Sequence, residues 1–261
     1  MNILFIGDIV GKPGRHAAAG LLPALKEKYG ISYTIANGEN AAGGYGITPD
    51  IARALLNMGI DLITTGNHVW EHKDIIPYMS ESTTVIRPLN ISPLAPGSGV
   101  AVLRKNGVQP LAVVNLIGRV FMTPAECPFH AALTALSELK HDHPDVLHTL
   151  VDFHAEATSE KQALGWYLDG KITALFGTHT HVQTSDEFIL PQGTAYITDA
   201  GMTGVVDGVL GMDREQILQR FTTSIQKHAD VAKGKEELQG VVVSTDDAGR
   251  ALSVLRVKEQ I

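Results

Sequence analysis

Five short apolar runs, each stopping at a side chain able to ligate a cation, constrain this chain more than any other feature. Residues 2–7 stop at Asp8, residues 33–37 lead into Gly38-Glu39-Asn40, and residues 62–66 lead into Asn67-His68. Residues 146–153 stop at His154, and residues 172–176 open into Gly177-Thr178-His179-Thr180-His181. Apolar runs this short, bounded by turn residues, read as buried strands. Parallel strands deliver their ends to one edge of a sheet, where α/β proteins keep their sites. In extended backbone, His179 and His181 would share one face with their rings about 6 to 7 Å apart, within reach of one metal centre.

The connections support a parallel sheet. After Asp8 a glycine-rich turn, Gly11 to Arg15, precedes a helix with Ala18, Leu21, Leu22 and Leu25 at helical spacing and Gly30 as its stop. The turn is not a Walker loop: three residues rather than four separate Gly7 from Gly11, and Pro13 rather than Ser or Thr follows Lys12. Nor is it the G-x-G-x-x-G of dinucleotide folds. A second helix has Thr48 as cap and Pro49 at its first position, with Ile51, Leu55 and Met58 on its inner face and Gly59 at its end. The resulting β-α-β-α-β order implies right-handed parallel crossovers.

From Thr84 the texture changes. Residues 99–104 and 109–115 flank Lys105-Asn106-Gly107, a hairpin signal that adds antiparallel strands. Residues 128–139 read as helix, and the His141-Asp142-His143-Pro144 segment as an exposed turn outside the site. Ser159 with Gln162 reads as a capping box opening a short helix that Gly170 closes. Residues 188–190 and 195–198 read as strands, residues 214–227 as helix, and residues 240–245 and 251–257 as a closing hairpin around Asp246-Asp247-Ala248-Gly249. The glycine-rich stretch 199–213, carrying Met202, Thr203 and Asp207, reads either as a substrate loop or as a plain connection. The expected architecture is a single α/β domain, residues 1–261, with a mixed two-sheet β-sandwich flanked by helices.

A formal net charge of -7 argues against an extended nucleic-acid surface, which needs clustered Lys and Arg. No apolar stretch approaches the ~18 residues of a membrane span, and no charged leader precedes the first strand, so the expected compartment is the cytoplasm. Cys127 is the sole cysteine, which excludes an internal disulfide and any Cys-rich metal cage.

Carboxylate, amide and imidazole donors without thiolate suit Fe, Mn, Zn or Co, and are too nitrogen-rich for a dedicated Ca or Mg cage. Asp8, Glu39, Asn40, Asn67, His154, His179 and His181 exceed what one substrate-binding ion needs. Two ions, sharing a carboxylate and about 3.5 to 4 Å apart, clamp a phosphoryl oxygen and lower the pKa of water. His68, next to Asn67, is placed to protonate a leaving alkoxide. Each residue alone also has an ordinary structural use: Asp8 as a turn cap, Asn40 and Asn67 as turn formers, His154 as a core histidine.

Gly7-Asp8, Gly38-Glu39-Asn40, Gly66-Asn67-His68, His154 and the His179-x-His181 pair occur in an order that resembles the calcineurin-like metallophosphoesterases. NGENAAGG, GNHVWEHK, NLIGRVFM and the GMTG loop before Gly211-Met212-Asp213-Arg214-Glu215 extend the likeness over nearly the whole chain to the YmdB-like branch. The resemblance implies a metallophosphoesterase-like fold and phosphodiesterase activity on 2',3'-cyclic nucleotides. It further implies a first metal on Asp8, Glu39, Asn40 and His181, and Glu39 bridging to a second on Asn67, His154 and His179. His68 would be the proton donor, and iron the natural metal, with Mn or Zn as alternatives. The chain departs from the broad superfamily at Val10, where a histidine is usual, and at Glu39, where an aspartate is usual, and resembles the YmdB-like branch at both. A phosphomonoesterase, or a regulatory nucleotide- or RNA-binding protein that keeps the metal site, are the competing expectations. The expected partner is a small phosphodiester, with no membrane, and a homo-oligomer is compatible with the sequence.

Overall fold

The computed structural model describes residues 1–226 and 228–261. Strands β1 (Asn2–Ile6) and β2 (Asp8–Ile9) lead into α1 (Gly11–Tyr29), then β3 (Tyr33–Asn37), α2 (Pro49–Asn57), β4 (Leu62–Thr64) and α3 (Ile75–Glu81). The hairpin β5 (Val100–Lys105) and β6 (Val108–Ile117) is followed by α4 (Pro128–Asp142), β7 (His148–His154), α5 (Thr158–Leu168) and β8 (Ala174–Thr178). Short strands β9 (Phe188–Ile189), β10 (Ala195–Ile197) and β11 (Met202–Val205) precede α6 (Arg214–Thr223) and the long hairpin β12 (Glu236–Thr245) and β13 (Ala251–Gln260).

Two sheets result. The first runs β2-β11-β12-β1-β3-β4, with β13 paired along β12, and the second runs β5-β6-β7-β8-β10-β9. β1, β3 and β4 are parallel, as are β6, β7, β8 and β10. Side chains alternate across each sheet as a period of two requires. Ile3, Phe5, Tyr33, Ile35 and Val241 of the first sheet pack against Leu111, Val113, Leu150, Phe176 and Ile197 of the second. Phe5 and Phe176 meet with ring centroids 5.7 Å apart. On the outer faces, Leu4, Ile6 and Ile63 pack on Ala18, Leu22 and Leu55 of α1 and α2, while Val114, Val151 and Leu175 pack on Ala135 and Leu164 of α4 and α5. The architecture is therefore helices, sheet, sheet, helices, the mixed two-sheet sandwich flanked by helices that was expected.

Several local expectations are corrected. The Gly11 to Arg15 turn is the first turn of α1, entered at Gly11 with φ 59°. The Ser159/Gln162 capping box does not form: α5 starts at Thr158, its cap position is Ala157, and no side chain caps it. His141 lies in the last turn of α4, which extends to Asp142, rather than in a turn. The stretch 199–213 contains β11, which pairs with β2 and β12, so Met202 and Thr203 are buried sheet residues. α6 ends at Thr223, capped at its start by Asp213 accepting from the Gln216 N–H at 3.0 Å; Lys227, within the expected helix, lies outside the described residues. α3, a helix of two turns, carries no capping or periodic signal comparable to those of α1 and α2. Among the described residues no helix is long and apolar enough to cross a membrane.

Candidate metal centre

The parallel strands end together, and all seven expected donors converge at that edge. Register fixes the arrangement: His154 of β7 lies opposite Thr178 of β8, and Asn37 of β3 opposite Thr64 of β4. Glu39 leaves β3 in a tight turn, its N–H donating to Asn37 Oδ1 at 3.1 Å. The approach is close enough to demand glycine at position 66, where a Cβ would lie 2.3 Å from both Glu39 Oε2 and His154 Cδ2.

Glu39 sits between two groups of donors. On one side its Oε1 lies 2.9 Å from His154 Nε2, which is also 3.1 Å from Asn67 Oδ1 and 3.1 Å from His179 Nδ1. Ligand atoms of Glu39, His154 and His179 all lie within 4.8 Å of one another. On the other side, the Asn40 amide lies 3.2 Å from Glu39 Oε1 and 3.2 Å from His181 Nε2, and His181 Nε2 is 3.8 Å from Asp8 Oδ1. Asp8 Oδ2 accepts the His179 N–H at 3.1 Å, but Asp8 Oδ1, in a residue with 0% exposure, has no hydrogen-bond partner among the described residues. A buried carboxylate oxygen left without a donor is costly, and a cation is what such an atom wants. Asp8 does not serve as the helix cap that a purely structural role would give it; the cap position of α1 is Val10.

Outer hydrogen bonds set the imidazole tautomers. Thr178 Oγ1 donates to Asp152 Oδ1 at 2.7 Å and so accepts from His154 Nδ1 at 2.9 Å, which leaves Nε2 facing the cluster. His181 Nδ1 donates to the Leu210 carbonyl at 3.1 Å, leaving its Nε2 toward Asp8 and Asn40. His179 Nε2 meets Glu156 Oε2 at 3.1 Å, leaving Nδ1 toward His154. Each ring, when neutral, therefore presents one lone pair inward.

Packed this closely, the groups perturb one another strongly. Burial raises the Asp8 carboxyl above its ordinary range. Burial also opposes ionisation of Glu39, but the positive charge on His154 outweighs it and brings Glu39 down to about 2. Burial disfavours the His154 imidazolium, yet Glu39, Asp8 and Asp152 outweigh that and raise it to about 9. Burial, reinforced by His154, depresses His179 to about 3. A proton on His154 thus sits among close-packed donors, where a cation would compete with it.

His68 stands at the rim, half-buried. Its N–H donates to Glu39 Oε2 at 3.1 Å, its Nδ1 meets Glu71 Oε1 at 3.3 Å, and its ring packs edge-on to Tyr45 with centroids 5.1 Å apart. Sequence reading assigns no role to Gly66, Asp152, Thr178 or Glu156, whose signal is register across two sheets. Asp207, read as part of the glycine-rich stretch, is engaged with the Lys235 N–H at 2.7 Å.

The two-sheet sandwich gathers these carboxylate, amide and imidazole groups at its parallel strand ends. The fold is shared with a 5'-nucleotidase precursor from Thermus thermophilus, at TM-score 0.60 and 12% identity, covering 100% of this chain and 54% of that one. The chain belongs to the YmdB-like protein family, whose sequence profile matches residues 4–257. It is 49% identical over 258 residues to the 2',3'-cyclic-nucleotide 2'-phosphodiesterase of Bacillus subtilis (strain 168), covering 98% of this chain and 96% of that protein. The crystal structure of a hypothetical protein from Thermus thermophilus superposes with TM-score 0.93 at 41% identity, covering 100% of this chain and 99% of that one.

Proposed function

We propose that this chain is a metal-dependent phosphodiesterase that opens 2',3'-cyclic nucleotides. The observation that carries the reading is Glu39 between two donor groups, with Asp8 Oδ1, which has no hydrogen-bond partner among the described residues, in one of them. Asp8, Glu39, Asn40 and His181 would hold one ion, and Glu39, Asn67, His154 and His179 a second, of iron, manganese or zinc. When bound, the ions supply positive charge to the phosphoryl oxygens and lower the pKa of attacking water. The activity of the Bacillus subtilis relative supports the substrate class.

The chain's own part is positioning and proton transfer. The Thr178-Asp152 pair keeps the last His154 proton on Nδ1, so that Nε2 is the donor to the site once the ring is neutral. The Glu39 carboxylate, accepting the His68 N–H, ties the rim histidine to the centre at a fixed distance. As the bond from phosphorus to the 2' oxygen breaks, His68 Nε2 gives that oxygen its proton, Nδ1 being steadied by Glu71. The product is the 3'-phosphomonoester.

Turnover of 2',3'-cyclic AMP, 3',5'-cyclic AMP and a simple phosphomonoester by anaerobically purified protein tests the proposal. The 2',3'-cyclic substrate should be cleaved fastest, and Glu39→Gln should abolish turnover. Preferential release of phosphate from the monoester would replace the reading with a phosphomonoesterase. Absence of turnover on all three would favour a nucleotide-binding regulator.

A further inference from the structure

The backbone carrying the two inner-edge histidines is strained. His179 has φ 97° and His181 φ 59°, both in the left-handed region that strains a non-glycine residue. Two such residues flanking Thr180 persist only if something outside the turn dictates its shape. The side chain that does so is Asp199, which lies beyond β10.

Asp199 Oδ2 accepts the Thr180 N–H at 3.1 Å and the Thr180 hydroxyl at 2.7 Å, and Asp199 Oδ1 accepts the Gly201 N–H at 2.8 Å. The Gly201 carbonyl in turn accepts the Asp8 N–H at 3.0 Å. One carboxylate therefore grips the His179-Thr180-His181 turn and, through Gly201, the backbone of Asp8. The Asp199 main chain is itself pinned, exchanging hydrogen bonds with Thr184 at 2.9 and 3.1 Å. Its charge is balanced by Lys161 of α5, whose Nζ lies 2.8 Å from Asp199 Oδ2, and both residues have 0% exposure. The lysine stem passes beneath Gly177, where a Cβ would come within 2.9 Å of Lys161 Cδ and 1.8 Å of the Thr198 carbonyl. A buried ion pair stabilises a fold no better than apolar residues of the same volume, so its presence here asks for a role in fixing geometry.

We propose that Lys161 and Asp199 are positioning residues that hold His179, His181 and Asp8 in ligating geometry. The proposal rests on the metal reading above. Lys161 neutralises the carboxylate so that it can sit buried, and the carboxylate imposes the turn.

The test is the affinity of the metal-stripped full chain for Mn2+ by calorimetry, read beside the melting temperature. In the double variant Lys161→Met with Asp199→Asn, neither half of this ion pair is left as an uncompensated charge. It should fold and melt cooperatively yet bind Mn2+ roughly 10- to 100-fold more weakly, the usual cost of losing an outer partner of a metal ligand. Thr180→Val, which leaves the ion pair intact and removes only the hydroxyl grip, should lose about tenfold, and Thr180→Ser should restore binding. A role in stability alone would lower the melting temperature and leave Mn2+ affinity within about twofold of wild type in both variants, and that result overturns the proposal. A wild-type chain that binds neither Mn2+ nor Zn2+ would instead overturn the metal reading itself.

Discussion

His154 makes proton competition the sharpest quantitative consequence of the site. Its imidazole is fully buried against Glu39 and Asp8, and those carboxylates raise its pKa to about 9 in the cation-free protein. Below that pH the ring carries a proton on the nitrogen that would ligate, and an incoming ion must expel it. Affinity should therefore rise about tenfold per pH unit up to about pH 9 and level off above it. Between pH 7 and the plateau that is ~100-fold, or about 3 kcal/mol. The sign follows from the raised pKa: a group protonated in the free state opposes cation binding below its pKa and not above. His179, held down at about 3, releases nothing in this window, so His154 is the ligand whose proton an incoming ion displaces. Calorimetric titration of the metal-stripped chain with Mn2+ in two buffers of different ionisation enthalpy measures both quantities. A flat affinity between about pH 7 and 9 with no proton release would refute the assignment of His154 as a ligand.

Three further outcomes are expected. Gly66→Ala places a methyl against Glu39 Oε2 and His154 Cδ2, and should cost about 1 to 3 kcal/mol of stability and most turnover, read by denaturant melts and initial rates. His68→Gln should lower kcat roughly 10²- to 10⁴-fold while metal content, measured by elemental analysis, stays at the wild-type value. Phe176→Ala, which opens the interface between the two sheets at its contact with Phe5, should destabilise the fold by about 3 to 5 kcal/mol in a urea melt.

Strand ends are the legible part of this molecule. An apolar run that stops at Asp8 or His154 advertises both the strand and the edge where its last residue lands, because burial and period-two alternation are local properties. The seven candidate donors can therefore be picked out from the strand ends, and the structure brings those side chains to one edge. What cannot be read depends on partners far away in sequence. Met202 and Thr203 look like loop residues among glycines, and become strand only because β2 and β12 offer them hydrogen bonds. Ser159 and Gln162 have the spacing of a capping box, but packing of Glu160 and Lys161 into the interior accompanies a helix that starts before them, at Thr158. Asp152, Thr178 and Lys161 read locally as ordinary strand and helix residues. Their hydrogen bonds toward His154 and toward Asp199 exist only once β7, β8 and α5 are stacked. Gly66 is informative for the same reason, since only the assembled centre leaves no space for its Cβ.

The central claim is that two cations share Glu39, and anomalous scattering from crystals grown with Mn2+ tests it most directly. The account predicts two peaks on either side of the Glu39 carboxylate, one among Asp8, Asn40 and His181 and the other among Asn67, His154 and His179. A single peak, or peaks elsewhere on the chain, would contradict it.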